Sequence, residues 1–165
     1  MYFDLKNRIY VVTGASGGIG SALVNLLNKE GAELFLIDTD QTSLEQLKKE
    51  QATYQNQNYF INSNLKDFKE ITDNLQKPIS GIIHLAGQLE SDNVTTSKKP
   101  IWERAIQNNL TNAYDIIENL IPFFDKNIIG KIILTSSLAY RRGGFDFIPY
   151  TASKGGITGL VRAYS

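Results

Sequence analysis

The sequence predicts an α/β fold: a doubly wound parallel sheet with its strands in the order 3-2-1-4-5. Three observations carry this. Short β-branched runs alternate with segments of helical period, the pattern of βαβ units. A glycine-rich loop separates the first such run from the first helical segment. No linker, repeat or low-complexity tract divides the 165 residues, so a single domain over 1–165 is expected.

The elements follow in order. Residues 8–13 (RIYVVT) form the first strand and run into the loop GASGGIG. The first helix places Ile19, Leu23, Leu26 and Leu27 on one face and stops at Gly31. Residues 33–37 make the second strand, which ends at Asp38; Thr42 and Glu45 then have the spacing of a capping box for the second helix. A third strand at 59–62 and a weak helix at 68–75 lead to a fourth strand at 79–86, closed by Gly87. Residues 88–99 are polar and without pattern, a surface loop. The longest helix starts at Pro100, which suits a first turn, with Trp102, Ile106, Leu110, Ala113, Ile117, Leu120 and Phe124 on its apolar face. Strand five is 131–136, and a glycine-bearing loop (YRRGGFDFI) leads to a last helix from Tyr150.

Composition narrows the classes. Seventeen basic and seventeen acidic side chains cancel, which removes the bulk electrostatic case for a nucleic-acid or acidic-membrane partner. With no Cys, disulfides, thiolate nucleophiles and cysteine-ligated metals are excluded, and the single His rules out a multi-histidine metal site within one chain. The N-terminal segment, with Asp4 and a short apolar run, lacks the pattern of a signal peptide, and no stretch has membrane-spanning length. A cytoplasmic globular protein is expected.

The loop Thr13-Gly14-Ala15-Ser16-Gly17-Gly18-Ile19-Gly20 lies between a strand and a helix. Glycines there let the backbone approach a pyrophosphate, while a helix N-terminus offers unpaired N–H groups and a positive dipole end. In this context the loop reads as a dinucleotide site of a Rossmann-like domain rather than a plain connection. Asp38, ending the next strand, stands where a carboxylate can accept both ribose hydroxyls. It would repel a 2′-phosphate, and nothing basic at Ser16 or Thr39 offsets that, so NAD is expected over NADP. The alternative is that Asp38 only starts a turn with Asp40.

Tyr150 and Lys154 stand four residues apart on one helix face, and strand five ends in Thr135-Ser136-Ser137. Together these features resemble the short-chain dehydrogenase/reductase family. Its TGxxxGxG pattern is matched by Thr13, Gly14, Gly18 and Gly20, and its YxxxK pair by Tyr150 and Lys154. Its serine thirteen residues before the tyrosine falls on Ser137, and its asparagine seven after a tryptophan falls on Asn109. The resemblance implies hydride transfer between NAD(P) and an alcohol or carbonyl carbon. Tyr150 would be the general acid or base and Ser137 a hydrogen-bond donor to the substrate oxygen. Lys154 would hold the nicotinamide ribose and favour the ionised phenol, and Asn109 would position a water linking Lys154 to solvent. The cofactor would lie against Gly14, Ser16, Gly17, Gly18, Ile19, Gly20, Asp38, Asn64, Leu65, Ala86, Gly87, Tyr150 and Lys154. A homo-oligomer through the long helix and the Tyr150 helix is part of the same expectation, with Gly155, Gly156 and Gly159 allowing close approach. Read one at a time, Ser136 and Ser137 could be turn residues, and Asn109 an ordinary polar position.

The chain departs from the family at three places. Asn-Asn-Ala-Gly after strand four is here His84-Leu85-Ala86-Gly87, and His84 reads as structural. Asn64 stands where the family commonly has an aspartate against adenine. Family members continue past the YxxxK helix through two more strands and a lid, whereas this sequence ends at Ser165. Strand five is therefore expected to show an unpaired edge. Three readings stay open: part of an active dehydrogenase/reductase whose isolated 165 residues do not turn over; a non-catalytic dinucleotide-binding module or partner subunit; and a fold-only interaction domain. Loop 88–99 and residues 139–148 would line the substrate pocket, where Phe145, Phe147 and Ile148 suggest an apolar wall and Arg141 and Arg142 an anionic contact or a solvated face.

Overall fold

The computed structural model describes residues 4–91 and 98–165, so part of the expected loop 88–99 lies outside the described residues. The chain forms two compact units, Met1–Leu85 with Ile117–Ile133, and Ala86–Ile116 with Leu134–Ser165.

The first unit holds the sheet. β1 (Ile9–Thr13), β2 (Glu33–Asp38), β3 (Asn58–Asn62), β4 (Gly81–His84) and β5 (Lys131–Leu134) lie in the order β3-β2-β1-β4-β5, as the crossover pattern predicts. The pairings of β1 with β2, β1 with β4 and β2 with β3 are parallel. Thr13 stands opposite Ile37 on one side and His84 on the other, so the winding reverses at the carboxyl end of β1. The central strands are continuous apolar runs because both faces are covered: Val11, Val12, Leu34, Leu36 and Ile82 are fully buried. Phe35 and Tyr59, paired across β2 and β3, stack with ring centres 4.3 Å apart. β4 is shorter than expected. Ile79 instead forms an isolated bridge to Phe124, and Leu85 leaves the strand after one more bond, to the Thr13 carbonyl. β5 is the sheet's outer strand, and Lys131 and Ile133 on it are exposed.

Three helices connect these strands: α1 (Gly18–Lys29), α2 (Gln41–Gln51) and α3 (Lys69–Asn74). The inward face of α1 is Gly20, Val24, Leu27 and Asn28; of the expected Ile19, Leu23, Leu26 and Leu27 only Leu27 belongs to it, with Leu23 partly buried against the same core. Ile19 is 69% exposed and Leu26 46%. The rotation follows from Gly20: a Cβ there would stand 2.1 Å from the Gly14 carbonyl, so this position can face only the glycine loop. α2 begins earlier than the Thr42–Glu45 box implies. Asp40 caps it instead, accepting from the Ser43 N–H at 3.1 Å and its hydroxyl at 2.9 Å, because a carboxylate is the stronger acceptor at a positive helix end.

The long helix is segmented. α4 (Lys99–Ile106) passes into a π-helical stretch, Gln107–Thr111, then α5 (Asn112–Leu120) and a 3-10 turn, Ile121–Phe123. The Asn112 N–H reaches back five residues to the Gln107 carbonyl. That wider turn brings Asn109 onto the buried face with Ala105, Asn112 and Ile116; of the expected stripe Ala113, Ile117 and Leu120 are buried, whereas Trp102 is exposed, a correction. In the second unit, residues 139–142 are not loop but a short helix, α6 (Ala139–Arg142), stopped by Gly143 at φ +74°. α7 (Ile148–Ala163) begins two residues before Tyr150, with Pro149 in its first turn, and packs against α4, the π stretch and α6. A Cβ on Gly156 would meet Leu110 at 2.6 Å, so this glycine serves packing within the chain. Among the described residues no helix is long and apolar enough to cross a membrane.

Candidate active site

In the first unit the glycine loop turns at Gly14, whose φ of +68° favours a residue without Cβ. The first closed turn of α1 is the Ser21 N–H to Gly17 carbonyl bond at 2.8 Å. The amides of Gly18, Ile19 and Gly20 precede it and remain at the helix's positive end. A Cβ on Gly18 would meet nothing within 4 Å, so the space over the loop is open. Asp38 is bound into this loop: Oδ2 accepts the Ser16 N–H at 2.9 Å, while Oδ1 accepts the Thr39 N–H at 2.8 Å and the Asp40 N–H at 3.3 Å. It is therefore both a turn residue and the link between β2 and the glycine loop. A carboxylate has about four acceptor positions, so it keeps capacity for a further donor.

Beyond β3, a cavity of about 460 Å³ is lined by Thr39, Asn62, Ser63, Asn64, Asp67 and Glu70. Asn64 is exposed there and accepts the Lys66 N–H through Oδ1 at 3.1 Å. Leu65 has φ +62° and a buried side chain, so only its main chain can face a ligand. His84 lies buried in β4 with Nδ1 2.7 Å from Thr13 Oγ1, a contact between paired strands.

The second unit brings Ala86, Gly87, Asn109, Ser137, Tyr150 and Lys154 into one body. Lys154 is 5% exposed. Its Nζ donates to the Thr135 carbonyl at 3.0 Å and stands 5.7 Å from the Tyr150 ring centre. Burial disfavours the ammonium and pushes its pKa below the ordinary lysine value. At the other end of the residue, the Lys154 carbonyl accepts the Ser136 hydroxyl at 2.7 Å. Consecutive residues after β5 thus hold both the side chain and the backbone of Lys154. Ser137 Oγ accepts the Ala139 N–H at 3.1 Å, which leaves the hydroxyl proton available to another acceptor.

Asn109 is fully buried in the π stretch. Its Oδ1 accepts the Gln88 N–H at 3.0 Å, and its Nδ2 donates to the carbonyls of Gln88 at 2.9 Å and Ala105 at 3.0 Å. Gly87 is where these groups converge, since a Cβ there would stand 2.6 Å from Asn109 Oδ1 and 3.1 Å from Lys154 Nζ. Sequence reasoning missed Gln88 and Thr135 because they act through backbone atoms, which carry no residue signal.

The fold and these side chains define a class, a dinucleotide-binding α/β domain bearing a tyrosine–lysine pair. The chain belongs to the short chain dehydrogenase family, whose sequence model matches residues 8–165. It is 29% identical over 164 residues to the short chain dehydrogenase ausX of Aspergillus calidoustus, covering 97% of this chain and 63% of that one. Among solved structures it is similar to a short-chain dehydrogenase/reductase (glucose/ribitol dehydrogenase) from Brucella melitensis, with TM-score 0.90 and 26% identity over 100% of this chain and 71% of that one. A structure from Escherichia coli CFT073 complexed with NADPH matches at TM-score 0.84 and 26% identity, covering 98% and 72% of the two chains. The chain spans 62–70% of the length of the curated relatives it matches.

Proposed function

We propose that the chain carries the dinucleotide-binding and proton-transfer groups of an NAD(P)-dependent oxidoreductase acting on an alcohol or carbonyl carbon, with NAD preferred over NADP. The observation that carries the reading is the seating of Lys154. A buried ammonium, held at both ends and set 5.7 Å from a phenol ring, is a costly arrangement for a residue with only a packing role.

The residues fit such a cofactor, since the free amides at the start of α1 and the open space over Gly18 suit a pyrophosphate. The main chain of Gly14 and Ser16–Gly20, with Asp38, Asn64 and the Leu65 backbone, would hold the adenosine diphosphate part. Ala86, Gly87, Tyr150 and Lys154 would hold the nicotinamide riboside. Bound there, the cofactor supplies the donor or acceptor of the hydride.

Tyr150 gives its phenolic proton to the substrate oxygen as a carbonyl becomes an alcohol, and takes it back in reverse. Such proton transfer is worth roughly 10²–10⁴ in rate. Ser137 donates its unused proton to the same oxygen, and the Lys154 ammonium stands 5.7 Å from the centre of the Tyr150 ring. Asn109 fixes the Gln88 peptide, and its Oδ1 retains a lone pair for a water leading from Lys154 to solvent. The preference for NAD rests on Asp38, a negative charge with no basic residue at Ser16, Gly17 or Thr39 to offset a 2′-phosphate.

Fluorescence titration of the chain with NADH and NADPH tests the cofactor reading. NADH is expected to bind at least about tenfold tighter, the factor that 1.4 kcal/mol represents, and Asp38→Ala to narrow the gap. Equal or reversed affinities remove the preference. In a chain extended to the length of its relatives, Tyr150→Phe is expected to abolish nearly all turnover; tight NADH binding without turnover would favour a binding module. A homo-oligomer through α4, α5 and α7 belongs to the same proposal, with Trp102, Tyr114 and Val161 as exposed apolar contacts. Sedimentation as a monomer would remove it.

A further inference from the structure

We propose that Arg141 and Arg142 select a substrate with an anionic group separated by an apolar segment from its reacting carbonyl or alcohol. This rests on the reading of Ser137 and Tyr150 as the groups that meet the substrate oxygen. Ser137 takes part in the turn that opens α6: its carbonyl accepts the Tyr140 N–H at 3.3 Å, and the Leu138 carbonyl accepts the amides of Arg141 and Arg142 at 3.1 and 3.0 Å. Arg141 is therefore one helical turn beyond Ser137, and side chains at that spacing start about 6 Å apart. At about 100° per residue, Arg141 falls about 40° from Ser137 round the turn, with Leu138 and Arg142 further along the same flank.

Both arginines are exposed, and among the described residues neither has an ion pair or side-chain hydrogen bond. Apolar side chains near them in sequence are exposed as well: Leu138 is 61% accessible and Phe145 70%. Gly143, at φ +74°, ends the helix directly after the pair. The charge balance is local. From residue 134 to 165 there are four basic side chains and one acidic, Asp146, a net +3 in a chain that is neutral as a whole. A guanidinium pair one turn from the serine, bordered by Leu138 and Phe145, suits an anion at the far end of an aliphatic segment.

Calorimetry on the 165-residue chain, with and without NAD+, can compare 7-oxooctanoate and 5-oxohexyl phosphate with their neutral methyl esters. NAD+ does not reduce a ketone, so binding is read without turnover. At low salt each anion is expected to bind roughly five- to tenfold tighter than its ester, with the advantage fading in high salt. The double variant Arg141→Gln/Arg142→Gln should bind acid and ester equally while keeping its melting temperature and its NAD+ affinity. Preference for either anion supports the inference, and the stronger of the two shows which anion is recognised. Equal binding, no detectable binding of either acid, or a preference that survives the double variant overturns it. Failure to bind NAD+ in the same experiment counts instead against the cofactor reading, because the arginine comparison is also made without it.

Discussion

The side chain of Asn109 closes a two-bond ring with the peptide of Gln88, accepting its N–H at 3.0 Å and donating to its carbonyl at 2.9 Å. This is the pairing one strand residue makes with another, supplied here by a side-chain amide. The donors and acceptors fix its orientation, since only the oxygen can meet the N–H. The π stretch matters because its wider turn brings Asn109 to the buried face beside Ala105, whose carbonyl takes the second amide hydrogen at 3.0 Å. Asn109 thus holds the segment that follows Gly87 in place, whatever it does for a proton path.

Asn109→Ala is expected to lower unfolding stability by about 1–2 kcal/mol, because the exposed Gln88 peptide can turn to water. Asn109→Asp should cost more at neutral pH, about 2–4 kcal/mol, since an ionised acceptor would face two carbonyls. Its deficit should shrink in acid, where the protonated carboxyl can donate to one of them. Urea unfolding at two pH values checks both. A smaller loss for Asp than for Ala at pH 7 would contradict the donor assignment.

Gly87 and Asn109 should be coupled. A methyl on Gly87 would lie 2.6 Å from Asn109 Oδ1, so Gly87→Ala is expected to cost about 1–3 kcal/mol by forcing the clamp apart. In Asn109→Ala the obstructing atom is gone, and the same methyl should cost less. A double-mutant cycle is expected to give an interaction of about 1 kcal/mol or more. Strict additivity would mean that Gly87 is limited by something other than Asn109.

Two glycines of the first loop separate folding from binding. A Cβ on Gly20 would stand 2.1 Å from the Gly14 carbonyl and 2.7 Å from that of Ala15, both backbone atoms that cannot swing aside. Gly20→Ala is expected to unfold the loop and lower the melting temperature sharply. Gly18→Ala meets nothing within 4 Å and gains about 1 kcal/mol of helix propensity, so it should fold at least as well. It should nonetheless bind NADH more weakly, because its methyl enters the space proposed for the pyrophosphate. Thermal melts and NADH titration of the pair check this; unchanged NADH affinity in Gly18→Ala would place the pyrophosphate elsewhere.

The strand order was legible because alternating runs and right-handed crossovers leave few topologies, and four of the five strands begin within one residue of their expected starts. Ile79 shows why the fourth was misplaced: a buried β-branched residue next to a strand looks the same whether it joins the ladder or bridges Phe124. The helix faces were less legible. Gly20 carries no hydrophobic signal, yet its contact with Gly14 sets the rotation of α1 and leaves Ile19 outside. The π stretch breaks the 3.6-residue period that the stripe from Trp102 assumes. Tyr150, Lys154 and Asn109 were picked out through the family resemblance, but the partners that seat Lys154 and Asn109, Thr135 and Gln88, contribute only backbone atoms.

Lys154 should trade stability for its position. The residue is 5% exposed, with the Thr135 carbonyl as the one hydrogen-bond partner of its ammonium among the described residues, and burial depresses its pKa. The unfolded chain therefore holds this proton to higher pH than the folded one. Between the depressed value and the ordinary lysine value of 10.5, the wild-type chain gains stability as pH rises; below that window the full cost of burying the charge remains. Lys154→Met removes the charge and keeps most of the apolar stem. At pH 7 it is expected to match the wild type or exceed it by about 1 kcal/mol, and to lose that advantage as the pH approaches the lysine range. Its NADH affinity should fall at every pH. Melting curves from pH 7 to 10 check the sign. A wild type that is more stable at pH 7 and loses ground toward pH 10 would mean that the Thr135 bond outweighs desolvation.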